Sequence, residues 1–165
     1  MMENITIRPA TPGDVDAALV VYDAARRFMR GYGNTQQWSG AYPARADVEA
    51  DIAAGNCYVG LDIAGDIVLV FAFIIGEDPT YTEIDGAWLN DEPYGTIHRI
   101  ATNGKYGGML RRCVDFCMHR VGALRLDTHE VNMPMRLAAE RLGFKRCGTI
   151  ICRDGTPRIA YHKIS

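Results

Sequence analysis

The residues able to do chemistry cluster between Gly95 and Cys117. There a β-branched run, Gly-Thr-Ile-His-Arg-Ile-Ala-Thr, passes through Asn-Gly-Lys-Tyr-Gly-Gly into an amphipathic helix. A strand that turns through glycine into a helix aims unbonded main-chain N–H groups at one point, and a phosphate is the group such a point holds best. A tight turn that binds nothing is the plainer reading. His98 lies on the strand leading into this turn, and its ordinary pKa near ~6.5 suits proton transfer at neutral pH. A core histidine bonded to backbone is its alternative. Cys113 and Cys117, one helical turn apart, could offer a nucleophile, but their place on the apolar helix face favours packing. His119 and His129 share no ligand spacing, so no metal is expected.

Hydrophobic period and turn residues set the elements that hold these groups. Ile5 and Ile7 alternate as in a strand, and Thr11-Pro12-Gly13-Asp14 opens a helix with a cap, a first-turn proline and an acid. Val15, Ala18, Leu19, Tyr22, Ala25 and Met29 form its buried stripe, ended by Gly31 to Asn34. Residues 35–44 read as a loop, 47–54 as a short helix, and 57–61 and 67–75 as two antiparallel strands joined at Ala64-Gly65-Asp66. Residues 76–93 have no clear period and form a long connection or a ragged strand. A strand over 94–102, a helix over 108–121, a strand over 124–128 and a helix over 132–142 follow. The chain closes with a hairpin, 144–152 and 158–164, turning at Asp154-Gly155. A period of two along 94–102 puts Tyr94, Thr96, His98 and Ile100 on one face and Ile97, Arg99 and Ala101 on the other. Arg99 is then buried against a helix with a carboxylate partner, or faces the site and takes a substrate carboxylate as a bidentate fork. Hairpins mixed with two crossover units predict an α/β fold with a mixed sheet covered by helices on both faces.

Composition narrows the function. At 165 residues with 48% hydrophobic content the chain fits a single domain over 1–165. A net charge of −2 without a basic stripe argues against nucleic acid or an anionic membrane as partner. The N-terminus lacks a signal pattern and the apolar run 67–75 is too short to span a bilayer, so the expected location is cytoplasmic. Five scattered cysteines without Cys-x-x-Cys fit reduced, buried thiols.

Four features together resemble the GNAT acetyltransferases, which move an acetyl group from acetyl-CoA to an amine. They are Ile7-Arg8-Pro9-Ala10 with Asp14, the strand-to-helix junction, Asn132 just after a strand, and Leu142-Gly143-Phe144 leading into the terminal hairpin. The likeness covers essentially the whole chain. It implies a GNAT-like fold, with a central twisted mixed β-sheet, helices on both faces and a C-terminal β-hairpin. It further implies that the strand ending near Ala101 and the one beginning at Leu124 part, and that the pantetheine arm enters as an added strand. The family's diphosphate loop aligns on Lys105-Tyr106-Gly107-Gly108-Met109-Leu110, with leucine where a small residue is usual. By that resemblance Ile100, Ala101, Thr102, Lys105, Tyr106, Gly107, Gly108, Met109, Asn132 and Met135 bind acetyl-CoA. Asn132 also suits a helix cap on its own.

Acetyl transfer needs a neutral amine, and a lysine-like amine titrates near ~10.4, so a general base is required. His98 is the preferred base, with Glu83 and Asp85 as rivals acting through water. Backbone N–H groups near Ile100 to Thr102 would meet the charge developing on the thioester oxygen. The tyrosine that many relatives use as acid is replaced by Ala139, which leaves Tyr94, Tyr106 or solvent to protonate the thiolate. Trp38, Tyr42, Tyr81, Trp88 and Tyr94, with Asp78 and Arg99, would line a site for a small-molecule amine of cationic character, though core packing claims some of these aromatics. Two other readings stand beside the enzyme: an acyl-CoA sensor with little or no turnover, and an interaction domain without cofactor. A homodimer is left open.

Overall fold

The computed structural model describes residues 4–165; Met1 to Glu3, which enter the reading of the N-terminus as lacking a signal pattern, lie outside the described residues. The strands are β1 (Thr6–Pro9), β2 (Cys57–Leu61), β3 (Ile67–Ile75), β4 (Asp85–Gly86), β5 (Gly95–Thr102), β6 (Ala123–Thr128), β7 (Lys145–Ile151) and β8 (Pro157–Ile164). The helices are α1 (Val15–Gly31), α2 (Arg45–Ala53), α3 (Met109–Met118) and α4 (Met133–Arg141). All eight strands join one sheet in the order β1-β2-β3-β5-β6-β8-β7-β4, parallel at β5–β6 and antiparallel at β1–β2, β2–β3, β6–β8, β7–β8 and β4–β7. The expected mixed sheet and terminal hairpin are therefore present. No helix among the described residues is long and apolar enough to cross a membrane.

Two compact units are distinguishable: residues up to Phe73 with Arg99–Cys113, and Ile74–His98 with Val114–Ser165. In the first, the predicted helix opening begins as a single 3-10 turn, Pro12–Asp14, before α1. The Asp14 carboxylate reaches back to the Thr11 amide (2.7 Å) and is gripped by both Arg8 amino groups (2.7 and 3.1 Å). Val15, Ala18, Val21 and Tyr22 of α1 pack against Val48, Cys57, Val59, Val70 and Ala101. Each large apolar side chain so buried contributes about 1.5–3 kcal/mol. Val21 joins the predicted stripe because a stripe wide enough to cover a sheet takes in neighbours on both flanks.

In the second unit, β8 runs between β6 and β7, and the hairpin turns at Asp154-Gly155 with Gly155 at φ +82°. Tyr81, Tyr94, Ala123, Ile150 and Ala160 form its core. The 76–93 connection is more ordered than its lack of period suggested. It holds a 3-10 turn, Pro79–Tyr81, and the two-residue strand β4, which pairs with β7. Asp85 faces Thr149 and Gly86 faces Gly148, and a Cβ on either glycine would lie within 2.2 Å of the opposite backbone.

Two features of β5 bear on the site. Its parallel ladder with β6 consists of Gly95–Leu124 and Thr96–Arg125, at the start of both strands. The strict alternation expected along 94–102 is also broken, because Arg99 takes φ +49°. A left-handed residue inside a strand resets which way the following side chains point.

Candidate active site

The second unit gathers a hydrogen-bonded cluster around His98. Asp78 caps the Pro79–Tyr81 turn: its Oδ1 accepts from the Thr80 amide (2.8 Å) and hydroxyl (2.6 Å), while its own amide donates to the Tyr94 hydroxyl (2.8 Å). The other carboxylate oxygen meets His98 Nε2 at 2.6 Å. Burial pushes the Asp78 carboxyl up, but the bonds from His98 and Thr80 outweigh it and hold the group well below the usual carboxylate range. An ionised Asp78 fixes the imidazole proton on Nε2 and leaves Nδ1 with the lone pair. That is how an acid orients a general base.

Tyr81, its ring 6.1 Å from that of His98, donates its hydroxyl to Asp127 Oδ2 at 2.7 Å. Burial raises both the Tyr81 phenol and the Asp127 carboxyl, so the phenol stays a donor. Trp88 donates its indole N–H to the Tyr81 carbonyl (3.0 Å), and Trp88 and Tyr94 lie against the Arg125 guanidinium. Tyr81 and Tyr94 are thus core residues whose hydroxyls meet Asp127 and the Asp78 amide. Glu83 sits apart, exposed on a groove of about 530 Å³ lined also by Thr80, Thr82, Ile84, Asp85 and Thr149.

In the first unit, Arg99 takes the first of its two readings. Nε and Nη2 form a fork on Asp51 of α2 (2.8 and 2.7 Å), and Nη1 reaches the Tyr42 hydroxyl (3.2 Å). Tyr22 donates to the Arg99 carbonyl at 2.7 Å, fixing the irregular point of β5. Trp38 packs edge-on against Tyr22, and its loop is held by Arg30 on the carbonyls of Asn34, Gln37 and Trp38.

The junction after β5 belongs to the same unit. Thr102 Oγ1 and Asn103 Oδ1 accept from the Gly104 and Lys105 amides (3.0 Å each), and Gly104 and Gly108 take φ +80° and +73°. The first intrahelical bond of α3 is Arg112 to Gly108, so the N–H groups of Met109, Leu110 and Arg111 have no acceptor within the helix. A Cβ at Gly104, Gly107 or Gly108 would meet no atom within 4 Å, so nothing packs over the turn at these glycines. Lys105 and Tyr106, expected at the diphosphate, turn instead to Asp62: Nζ at 3.0 Å and the hydroxyl at 2.9 Å share its Oδ2. Asp62 Oδ1 meanwhile holds the Ala64 and Asp66 amides, so the loop is tied to the β2–β3 turn. Ile100 and Thr102 are half-buried, whereas the Ala101 and Met109 side chains are buried.

At the head of α4, Asn132 Oδ1 accepts from the Met135 amide (3.3 Å), which is the capping role read from the sequence. Cys113 and Cys117 are fully buried and the five cysteines form no disulfide, so α3 offers no accessible nucleophile. Sequence reasoning placed Asp78 among substrate-lining acids and missed its hold on His98, and it missed Asp127 altogether. Asp-Pro-Thr, a cap followed by a first-turn proline, was the available signal for the first.

No family model matches the chain, and no curated protein sequence matches it. Solved structures do. A GNAT-family acetyltransferase of Streptococcus agalactiae is 32% identical, with a TM-score of 0.88 over 100% of this chain and 98% of that one. A second, from Listeria monocytogenes, is 19% identical with a TM-score of 0.72 over 100% and 99%. A third, from Bacillus cereus, is 15% identical with a TM-score of 0.65 over 98% of each.

Proposed function

The chain belongs to the GNAT family of acetyltransferases, and from that premise we propose that it transfers the acetyl group of acetyl-CoA directly to the amine of a small cationic molecule, with His98 as general base. The 2.6 Å contact between His98 and Asp78 carries this reading. His98 Nδ1 takes a proton from the incoming ammonium, and the Asp78 carboxylate steadies the resulting imidazolium. The acceptor's lone pair then attacks the thioester carbon, the C–S bond to CoA breaks, and the nitrogen sheds its second proton as the amide forms. That proton replaces the one the thiolate takes from Tyr94, and the first leaves His98 for solvent. Tyr94, whose hydroxyl accepts from Asp78, keeps its own proton available for the departing thiolate. The ionised Asp78 and the aromatic rings of Tyr81, Trp88 and Tyr94 near it favour a cationic acceptor.

For the donor, the loop from Tyr106 to Met109 and the open amides of Met109, Leu110 and Arg111 at the head of α3 suit a diphosphate, and Lys105 acts by bracing the loop through Asp62. The edge of β5 from Ile100 to Thr102 suits the amide-bearing pantetheine arm, and Asn132 and Met135 offer the head of α4. Acetyl-CoA should raise the melting temperature, since a ligand of the native state alone stabilises it. Acetyl-CoA plus a panel of amines should release free thiol. Thermal stabilisation without thiol release from any amine would favour the acyl-CoA sensor; the absence of both would overturn the function.

A further inference from the structure

We propose that Thr96, Arg125 and His162 form a buried site for a small monovalent anion, of the size of a halide ion or a carboxylate group. Thr96 pairs in register with Arg125 across β5–β6, and Arg125 pairs with His162 across β6–β8. In-register neighbours point to one face, so the three side chains stand in a single row. Their residues are 1%, 4% and 0% exposed. Among the described residues, Thr96 Oγ1, Arg125 Nε and His162 Nε2 are the buried side-chain polar atoms left without a hydrogen-bond partner. Three such atoms in one row mark a place where something is bound.

All three can donate. His162 Nδ1 accepts from the Leu89 amide at 3.1 Å, which puts the ring proton on Nε2. The Arg125 plane is covered by Trp88 at 4.1 Å and by Tyr94 at 3.9 Å, and Nη2 donates to the Asn90 carbonyl at 3.0 Å. A guanidinium covered on its faces takes ligands at its edge, and the Nε edge is the unfilled one. No salt bridge reaches Arg125 among the described residues. Water would satisfy the three N–H and O–H groups but leave the charge uncompensated. A monovalent anion answers both needs, and a divalent one would bring a second charge with no partner.

The ion has two sources with the same chemistry, a free halide or the carboxylate of the acyl acceptor. His98 and Asp127 lie two residues further along β5 and β6, one row beyond Thr96 and Arg125 on β6's same face. An α-amino acid with its carboxylate in the row would therefore carry its amine toward the proton-transfer group. That second source rests on the acetyltransferase reading; the first does not.

The melting temperature of the full chain, followed at constant ionic strength as chloride replaces gluconate, tests the site. Gluconate is too large for the row. The wild type should gain several degrees with chloride, in proportion to its logarithm, and Arg125→Met should lose the response. Thr96→Val keeps the volume and removes the hydroxyl, so it should fold and respond more weakly even if Arg125→Met does not fold. Glycine, tested against methylamine, separates the sources. If glycine stabilises and competes with chloride, the row holds the acceptor's carboxylate; if only chloride acts, it holds a free ion. A wild type indifferent to both, or a Thr96→Val variant that responds in full, overturns the proposal. A chloride response without thiol release from any amine would leave this site standing and remove the proposed function.

Discussion

On the proposed reading the Asp78 carboxylate decides which nitrogen of His98 takes the proton, because accepting from Nε2 leaves Nδ1 as the free ring nitrogen. His98→Gln removes that site and should lower kcat by roughly a hundredfold or more, the usual contribution of a positioned base. Asp78→Asn keeps a hydrogen-bond acceptor but loses the charge that steadies the imidazolium. It should lower kcat by about tenfold or more with little change in the KM for acetyl-CoA, as steady-state kinetics on both substrates would show. If either variant kept full kcat/KM at every pH, His98 would not be the base. The sign of the pH effect on folding also follows. The Asp78 carboxyl titrates below its unfolded value near ~3.9, so the carboxylate's own contribution to stability is present above that pH and is lost as acid protonates it in the folded state. Between pH 5 and 8 the orienting charge is constant.

Elements are held in register here by a few polar ties and close backbone approaches. The Arg99 fork on Asp51 joins β5 to α2 with both side chains largely buried, 17% and 12% exposed. Asp51→Ala strands the guanidinium and should cost about 3–5 kcal/mol in urea denaturation, whereas Asp51→Ala with Arg99→Met should recover much of that loss. Gly148, at φ +149°, leaves no room for a side chain: its Cβ would lie 2.0 Å from the Asp85 carbonyl oxygen. Gly148→Ala should therefore separate β4 from β7 and cost about 1–3 kcal/mol, read as faster amide exchange at residues 85–87. The same ties explain what the sequence made legible. The strand, glycine turn and helix after Gly95 are consecutive, so local period and punctuation announced them, as they did the cap at Asn132. Strand β4 exists only because Gly86 meets Gly148 across the sheet, and two isolated glycines far apart in the chain carry no sign of that meeting. Arg99 was equally opaque: between His98 and Ile100, with no glycine beside it, nothing warns of a left-handed residue and alternation reads straight through. The tie from Lys105 to Asp62 was hidden for the same reason as β4, because Asp62 lies in a turn distant in the chain.

For the whole molecule, folding has placed a histidine where its charged form is not tolerated. His162 is completely buried between Leu89 and Trp88, and burial, reinforced by the nearby Arg125 charge, pushes its pKa down to about 4. Unfolded, it would titrate near ~6.5. Between those values the unfolded chain binds a proton that the native chain refuses, so stability rises with pH across the window. The full stability contributed by the neutral ring is present above pH ~6.5, declines by at most about 1.4 kcal/mol per pH unit on acidification, and is lost as pH falls through 4. Arg8 holds the Asp14 carboxyl down to about 2, so its loss falls mainly below that window. Urea midpoints measured from pH 7 to pH 4, in gluconate so that a bound halide does not mask the ring's titration, should slope in the wild type. The slope should fall in His162→Gln, which retains an acceptor for the Leu89 amide but has nothing to protonate; what remains belongs to other buried groups, His129, also pushed down by burial, and Asp127, pushed up, among them. A His162→Gln curve with the wild type's slope would mean that the imidazole is charged, or reaches water, inside the folded sheet.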